Sequence, residues 1–350
     1  MDELQRVLSG DIAAVDIDAV GLSDAHITRL YGAMLTARAL DQRSARLHEE
    51  GVIDFYVGSR GIEAVSVGVA SVLGAQDWLF PSHRDVGMYL VRGGSMRSWF
   101  DQLLGNVADL AKGRQIPGHH SLPDGRFVSV SGRVGAQIAQ AAGCAMAMKV
   151  RGDEACAVAS FGEATSAGAD FHAGMNIAAR FRAPVIFLCR SAVRTVGAEI
   201  GTATPVAARA ATYGVRSVRV DGSDALAVFQ AMREAHDSAR RGGGPTLLEA
   251  VLEPAAMFGE EPDDAGGGAL AADPVARLRD YLEQCGRWDA AREEEFANRL
   301  RQRVGEALAA AEAEAQPRGE SLFADVYQEL PWMLQEQREQ LLEEEGERDG

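Results

Sequence analysis

Four short apolar runs in the second half of the chain constrain the fold most. ACAVASF from Ala155, PVIFLC from Pro184, VRSVRV from Val215 and TLLEAVL from Thr246 are each too short to be helices, and all but VRSVRV are almost wholly apolar. Between them lie segments of helical character: DFHAGMNIAARF, the stretch near Val206 to Tyr213, and a helix starting at Ser223. Buried strands separated by helices are the pattern of a parallel sheet covered on both faces. The fold class is therefore α/β, with ligands placed at the carboxyl ends of the strands.

The flanking regions extend this sheet. Ser23 or Asp24 offers an N-cap to an amphipathic helix in which Ile27, Leu30, Tyr31, Met34 and Leu35 recur, and Gly51 ends it. Gly51 to Arg126 reads as shorter helices and glycine-rich turns, among them FPSHRDVG and GRQIPGHH. A helix of small residues is expected from Val134 to Met148, where another backbone, of this chain or of a second subunit, would approach closely. The segments 1–22, 23–255, 256–272, 273–342 and 343–350 read respectively as an N-terminal segment, the α/β domain, a mobile acidic loop, C-terminal helices with a docking tail, and a frayed acidic end. The C-terminal helices are expected at Pro274 to Gly286 and Trp288 to about Ala315.

A formal charge of −16 argues against nucleic-acid and anionic-membrane partners, which an acidic surface repels. Four cysteines without a CxxC pair suggest neither a zinc site nor a disulfide framework. The acidic start MDELQRVLSGD lacks both an apolar core and an arginine-rich pattern, so the chain is expected in the cytoplasm.

Two strand ends carry the candidate site: Phe161-Gly162-Glu163-Ala164 and Cys189-Arg190-Ser191-Ala192. Adjacent parallel strands would set these turns side by side, where a carboxylate on one and oxygen ligands on the other suit Mg²⁺ held against a diphosphate. Here the chain resembles the α subunits of thiamine diphosphate-dependent 2-oxo acid dehydrogenases, the E1 components of the branched-chain and pyruvate complexes. The resemblance runs from about Leu22 to Leu342 through FYVGSRGIEA, DWLFPSHRDVG, LLGNVADLAKGRQIP, FGEATSAGADFHAGMNIAA, RGGGPTLLEA, DPVARLRDYLEQCGRWD and SLFADVYQELPWML. It implies a thiamine diphosphate-binding fold, thiamine diphosphate and magnesium as cofactors, a β-type E1 subunit as partner in an α₂β₂ assembly, and a lipoyl-bearing E2 component beyond it.

Carried over residue by residue, the resemblance also implies a degenerate site. The family's Gly-Asp-Gly opening is Gly162-Glu163-Ala164 here, which leaves Glu163 as the candidate metal ligand. Arg190 matches a diphosphate-contacting arginine, while Ser191 and Ala192 stand in place of two asparagines, the second a metal ligand. Arg194 sits where a backbone carbonyl would ligate, and is expected to pair with Glu163 in the ion's place. Arg84 fits a phosphate-binding arginine, with His83 beside it instead of tyrosine. Near Ser131, a further candidate contact, Val134 replaces the leucine that props the cofactor rings, and Arg133 replaces a proline. Pro254 and Phe258 fall at the positions of an arginine and a catalytic histidine, and neither donates a proton or binds an anion.

Each residue also has a plainer reading: Glu163 as a helix cap, Arg84 and Arg190 as ion-pair partners, and His83, His119 and His120 as structural groups. His172 and Asn176 would fix their helix to the sheet, and Cys189 would be core. Three functions stay open: a catalytically impaired subunit with a structural or regulatory role, an active dehydrogenase subunit with an atypical metal site, and a metal-independent sensor of diphosphate ligands. The substitutions favour the first, and Arg190 with the ELPWML tail leans toward the branched-chain type.

Overall fold

The computed structural model describes residues 4–8, 15, 17–192, 204–252 and 273–349. Five parallel strands form one sheet: β1 (Trp78–Phe80), β2 (Ala157–Gly162), β3 (Val185–Ala192), β4 (Arg216–Asp221) and β5 (Thr246–Leu252), in the order β1-β2-β3-β5-β4. β2, β3 and β5 are buried along almost their whole length, as apolar runs covered on both faces must be. β4 is the edge, and the polar residues Arg216, Ser217 and Arg219 that it carries among Val218 and Val220 follow from its lesser burial. Residues 78–80, read from sequence among turns, form the opposite edge strand instead. Three residues are too few to show a period.

Helices cover both faces. They are α1 (Ile17–Val20), α2 (Asp24–Glu49), α3 (Glu63–Ala70), α4 (Val86–Val91), α5 (Met96–Leu104), α6 (Ala136–Arg151), α7 (Ala169–Phe181), α8 (Val206–Ala210), α9 (Ala225–Arg240), α10 (Pro274–Gln284), α11 (Ala290–Glu312) and α12 (Trp332–Asp349). Ser23 caps α2 through its hydroxyl, which accepts from the His26 amide. The helix then buries Ile27, Leu30, Tyr31, Met34 and Leu40 along one stripe. α9 starts two residues later than expected because Asp224, not Ser223, is its cap, accepting from the amides of Leu226 and Ala227. The same carboxylate accepts from Val7 and Leu8 at 2.7 and 2.6 Å, so it also ties the N-terminal segment to the edge of the sheet, where Gln5 bridges Val220.

The small-residue helix runs from Ala136 to Arg151 and packs on α7. A Cβ at Gly174 would lie 2.8 Å from Ile138 Cγ2 and 3.2 Å from the Ile138 carbonyl carbon, so the two helices meet at backbone distance. The end of the chain, expected to fray from 343, continues α12 to Asp349. Around it Leu322, Tyr327, Trp332 and Met333 are exposed in the single chain. The expected loop at 256–272 lies outside the described residues. Among the described residues no helix is long and apolar enough to cross a membrane.

Candidate functional site

The register of β2 against β3 sets Gly162 opposite Arg190, bringing the two strand ends together. Glu163 opens a 3₁₀ turn, Glu163–Ala167, and its Oε2 accepts from the Ala192 amide at 3.4 Å. Side chains alternate across a strand, so Arg190 and Ala192 share one face and Ser191 takes the other. The Ser191 hydroxyl accordingly donates to Glu249 Oε1 at 2.8 Å, beneath α8, where Glu249 also accepts from the Ala207 amide at 2.9 Å and meets Arg219 Nε at 3.4 Å.

On the crevice side the arginines are held by the protein itself. Arg190 is buried, donating to Asp85 Oδ1 at 2.7 Å and to Ser82 Oγ at 2.6 Å. Asp85 Oδ2 accepts in turn from the Ser82 amide and hydroxyl. Arg84 donates from Nε to the Gly58 carbonyl at 2.6 Å, and burial followed by repulsion from Arg190 brings its pKa down to about 10. Asp85 and Ser82 were not singled out in the sequence. The only hint was an acid directly after Arg84.

Behind the arginines the loop 53–63 is pinned by buried acids. Asp41 Oδ1 accepts from Tyr56 and from the Ser59 amide, and Glu63 takes Arg38 Nε at 2.5 Å and the Gly61 amide at 2.9 Å. The three turn histidines divide into a pair and a stack. His119 Nδ1 donates to the Ile116 carbonyl at 3.1 Å, which leaves its Nε2 to accept from His83 Nε2 at 3.2 Å. His120 lies flat on Trp99, centroids 3.6 Å apart, and its Nε2 is buried without a partner. Burial, then the neighbouring histidines, takes its pKa down to about 3.

Other sequence candidates fare differently. Ser131 Oγ accepts from the Arg133 amide at 3.1 Å, Arg133 faces Asp170 at 3.3 Å, and Val134 is 72% exposed in the isolated chain. A Cβ on Gly162 would meet nothing within 4 Å, so that position faces open space. Cys189 is core, as expected, with its thiol pKa pushed up by burial. His172 and Asn176 do not fix α7 to the sheet. Both are exposed, because Phe171, Gly174, Met175 and Ala178 form the inward stripe, and His172 instead meets the Tyr213 hydroxyl. Arg194, Pro254 and Phe258 lie outside the described residues.

Magnesium beside a diphosphate requires oxygen ligands at closely fixed distances. Among the described residues the β2–β3 crevice presents one carboxylate, Glu163, to that position. Ala192 has no side-chain oxygen, and the Ser191 hydroxyl is engaged on the far face of the sheet. Among the described residues Glu163 is therefore the single side-chain oxygen donor at that position, with diphosphate oxygens and waters left to complete the six.

The family described as dehydrogenase E1 component matches residues 31–253, more than half of the sequence and all five strands. The chain belongs to that family. Among curated relatives of this E1 chain, the 2-oxoisovalerate dehydrogenase subunit alpha 2, mitochondrial, of Arabidopsis thaliana is 33% identical over 91% of the chain and 70% of the relative. The mitochondrial subunit alpha of the same name from Homo sapiens is 34% identical over 90% and 73%. With their names and the strand-end motifs, the E1 chain is of the alpha type. A solved structure from Mycobacterium smegmatis, described as a thiamin diphosphate-dependent enzyme, shares 17% identity at a TM-score of 0.36, over 54% of this chain and 31% of that one.

Proposed function

We propose that the chain is the alpha-type E1 subunit of a branched-chain 2-oxo acid dehydrogenase system, assembling with a β-type subunit as α₂β₂, and that its own cofactor site is catalytically impaired. Its role is then structural or regulatory. The relatives' names support the substrate class, since they act on 2-oxoisovalerate. The impairment rests on the contact of Glu163 with the Ala192 amide. There the carboxylate accepts from a backbone N–H, which as a donor cannot itself ligate a cation, and Ala192 offers no side-chain oxygen beside it. Arg190 adds support: in the diphosphate-contacting position, its charge is already balanced by buried Asp85.

The test is co-expression with a β-type subunit, purification of the complex, and assay of branched-chain 2-oxo acid decarboxylation with added thiamine diphosphate and magnesium. A stable complex with decarboxylation at background is the expected result. Turnover in the ordinary range for enzymes, about 1 per second or faster, would overturn the impairment. Absence of any complex would overturn the partner.

A further inference from the structure

At the end of the sheet remote from the Glu163 crevice, three metal-ligating side chains meet. Asp77 directly precedes β1, Cys156 directly precedes β2, and His236 lies on the inward face of α9. Each offers one ligand atom, and the three atoms lie within 4.8 Å of one another. Cys156 is fully buried, Asp77 2% exposed and His236 6% exposed.

Hydrogen bonds hold the trio together. His236 Nε2 donates to Asp77 Oδ2 at 2.8 Å, and Asp77 Oδ1 accepts from the Cys156 amide at 2.8 Å. Oδ2 also accepts from the Gly74 amide. Those two amides alone would pin the loop before β1 to the sheet, so the thiol and imidazole are more than that tie requires. Thiolate, imidazole and carboxylate are the three ligand types zinc takes, at about 2.0–2.3 Å, so ligand atoms around one tetrahedral ion lie roughly 3.3–3.8 Å apart; the His236–Asp77 pair, now at 2.8 Å, would open slightly on binding. Asp237 Oδ1 lies 4.0 Å from His236 Nδ1, beyond hydrogen-bond distance, and would have to close that gap to serve as the outer carboxylate of a metal-bound histidine.

We propose that Asp77, Cys156 and His236 bind a single zinc ion, with water in the fourth position. On binding, the Cys156 thiol proton leaves to solvent, and the His236 proton moves from Nε2 to Nδ1, toward Asp237. Asp77 contributes a carboxylate whose oxygens already accept from His236 and from the Cys156 and Gly74 amides. One proton is released, nothing is oxidised or reduced, and two ligand charges balance the ion. The ion would join the loop before β1, the start of β2 and α9 at the end of the sheet opposite the cofactor crevice. Its effect is on stability.

The experiment uses the full chain stripped with a chelator, then titrated with Zn²⁺ against a chromophoric chelator and with Co²⁺ as a spectroscopic stand-in. One equivalent is expected, with a rise in thermal midpoint and a thiolate-to-cobalt absorption band. Cys156→Ser should abolish the band. His236→Gln should weaken zinc binding by more than the about 10–100-fold that loss of an outer partner costs. Cys144→Ser and Cys285→Ser, at the two half-buried thiols, should leave both readouts unchanged. Absence of zinc binding, or binding unaltered by Cys156→Ser and His236→Gln, would overturn the site. Should those variants fail to fold, the cobalt spectrum of the wild-type chain decides alone: a spectrum without a thiolate band rejects it.

Discussion

Arg190 donates to Asp85 at 2.7 Å with the two side chains 4% and 0% exposed, and this pair locks the carboxyl end of β3 to the start of α4. Two charges so far from water are tolerable only together. Arg190→Ala or Asp85→Ala alone is expected to cost about 3–5 kcal/mol, because each strands a buried charge. The double change Arg190→Met with Asp85→Leu should recover most of that loss. Urea unfolding of the three variants measures it, and equal losses in singles and double would contradict the pairing.

His120 should make stability depend on pH. Its pKa is about 6.5 in the unfolded chain and about 3 in the folded one, so the fold prefers the neutral ring. The contribution is complete above pH 6.5 and falls by about 1.4 kcal/mol per unit as the pH drops toward the folded value. Between pH 6.5 and 4.5 the wild type should therefore lose roughly 2–3 kcal/mol relative to His120→Phe, whose ring keeps the stack on Trp99. Chemical denaturation at several pH values reads the difference between the two slopes.

Gly174→Ala should separate α6 from α7. The added methyl would meet Ile138 side chain and backbone at 2.8 and 3.2 Å, and backbone has no rotamer through which to yield. A loss of about 1–3 kcal/mol is expected, as for other overpacked cores. Gly143→Ala, with open space around its Cβ position, is the control and should be neutral or slightly stabilising.

The sheet was legible where burial on both faces writes an unbroken apolar run, as in β2, β3 and β5. β1 was not, since Trp78–Phe80 joins the sheet through its partner rather than its own pattern. Helix starts were legible from Ser23 and Pro274, whose caps act within one turn. Long-range partners left no mark: Arg190 finds Asp85 from 105 positions away, and His236 finds Asp77 from 159. The site's position came from the strand-end motifs, but nothing in them told that the Ser191 hydroxyl would be drawn to Glu249 beneath the sheet. His172 and Asn176 were placed on the wrong side of α7 because two polar residues do not define a helix face.

Repairing the crevice should restore ligand binding in part. Glu163→Asp with Ala192→Asn reinstates the family's carboxylate length and side-chain oxygen, and the double variant in complex with its β-type partner should bind magnesium-thiamine diphosphate at least about tenfold more tightly than wild type. Tenfold corresponds to about 1.4 kcal/mol, within the range of one charge-assisted contact. Equilibrium dialysis compares the two affinities, and equal values would show that the metal position is not what limits binding.

Calorimetric titration of thiamine diphosphate with magnesium into the wild-type chain co-purified with its β-type subunit reads whether the crevice holds its cofactor. A stable complex with no magnesium-dependent binding heat is expected. Tight binding that disappears on removal of magnesium would contradict it, and would return Glu163 to the role of metal ligand.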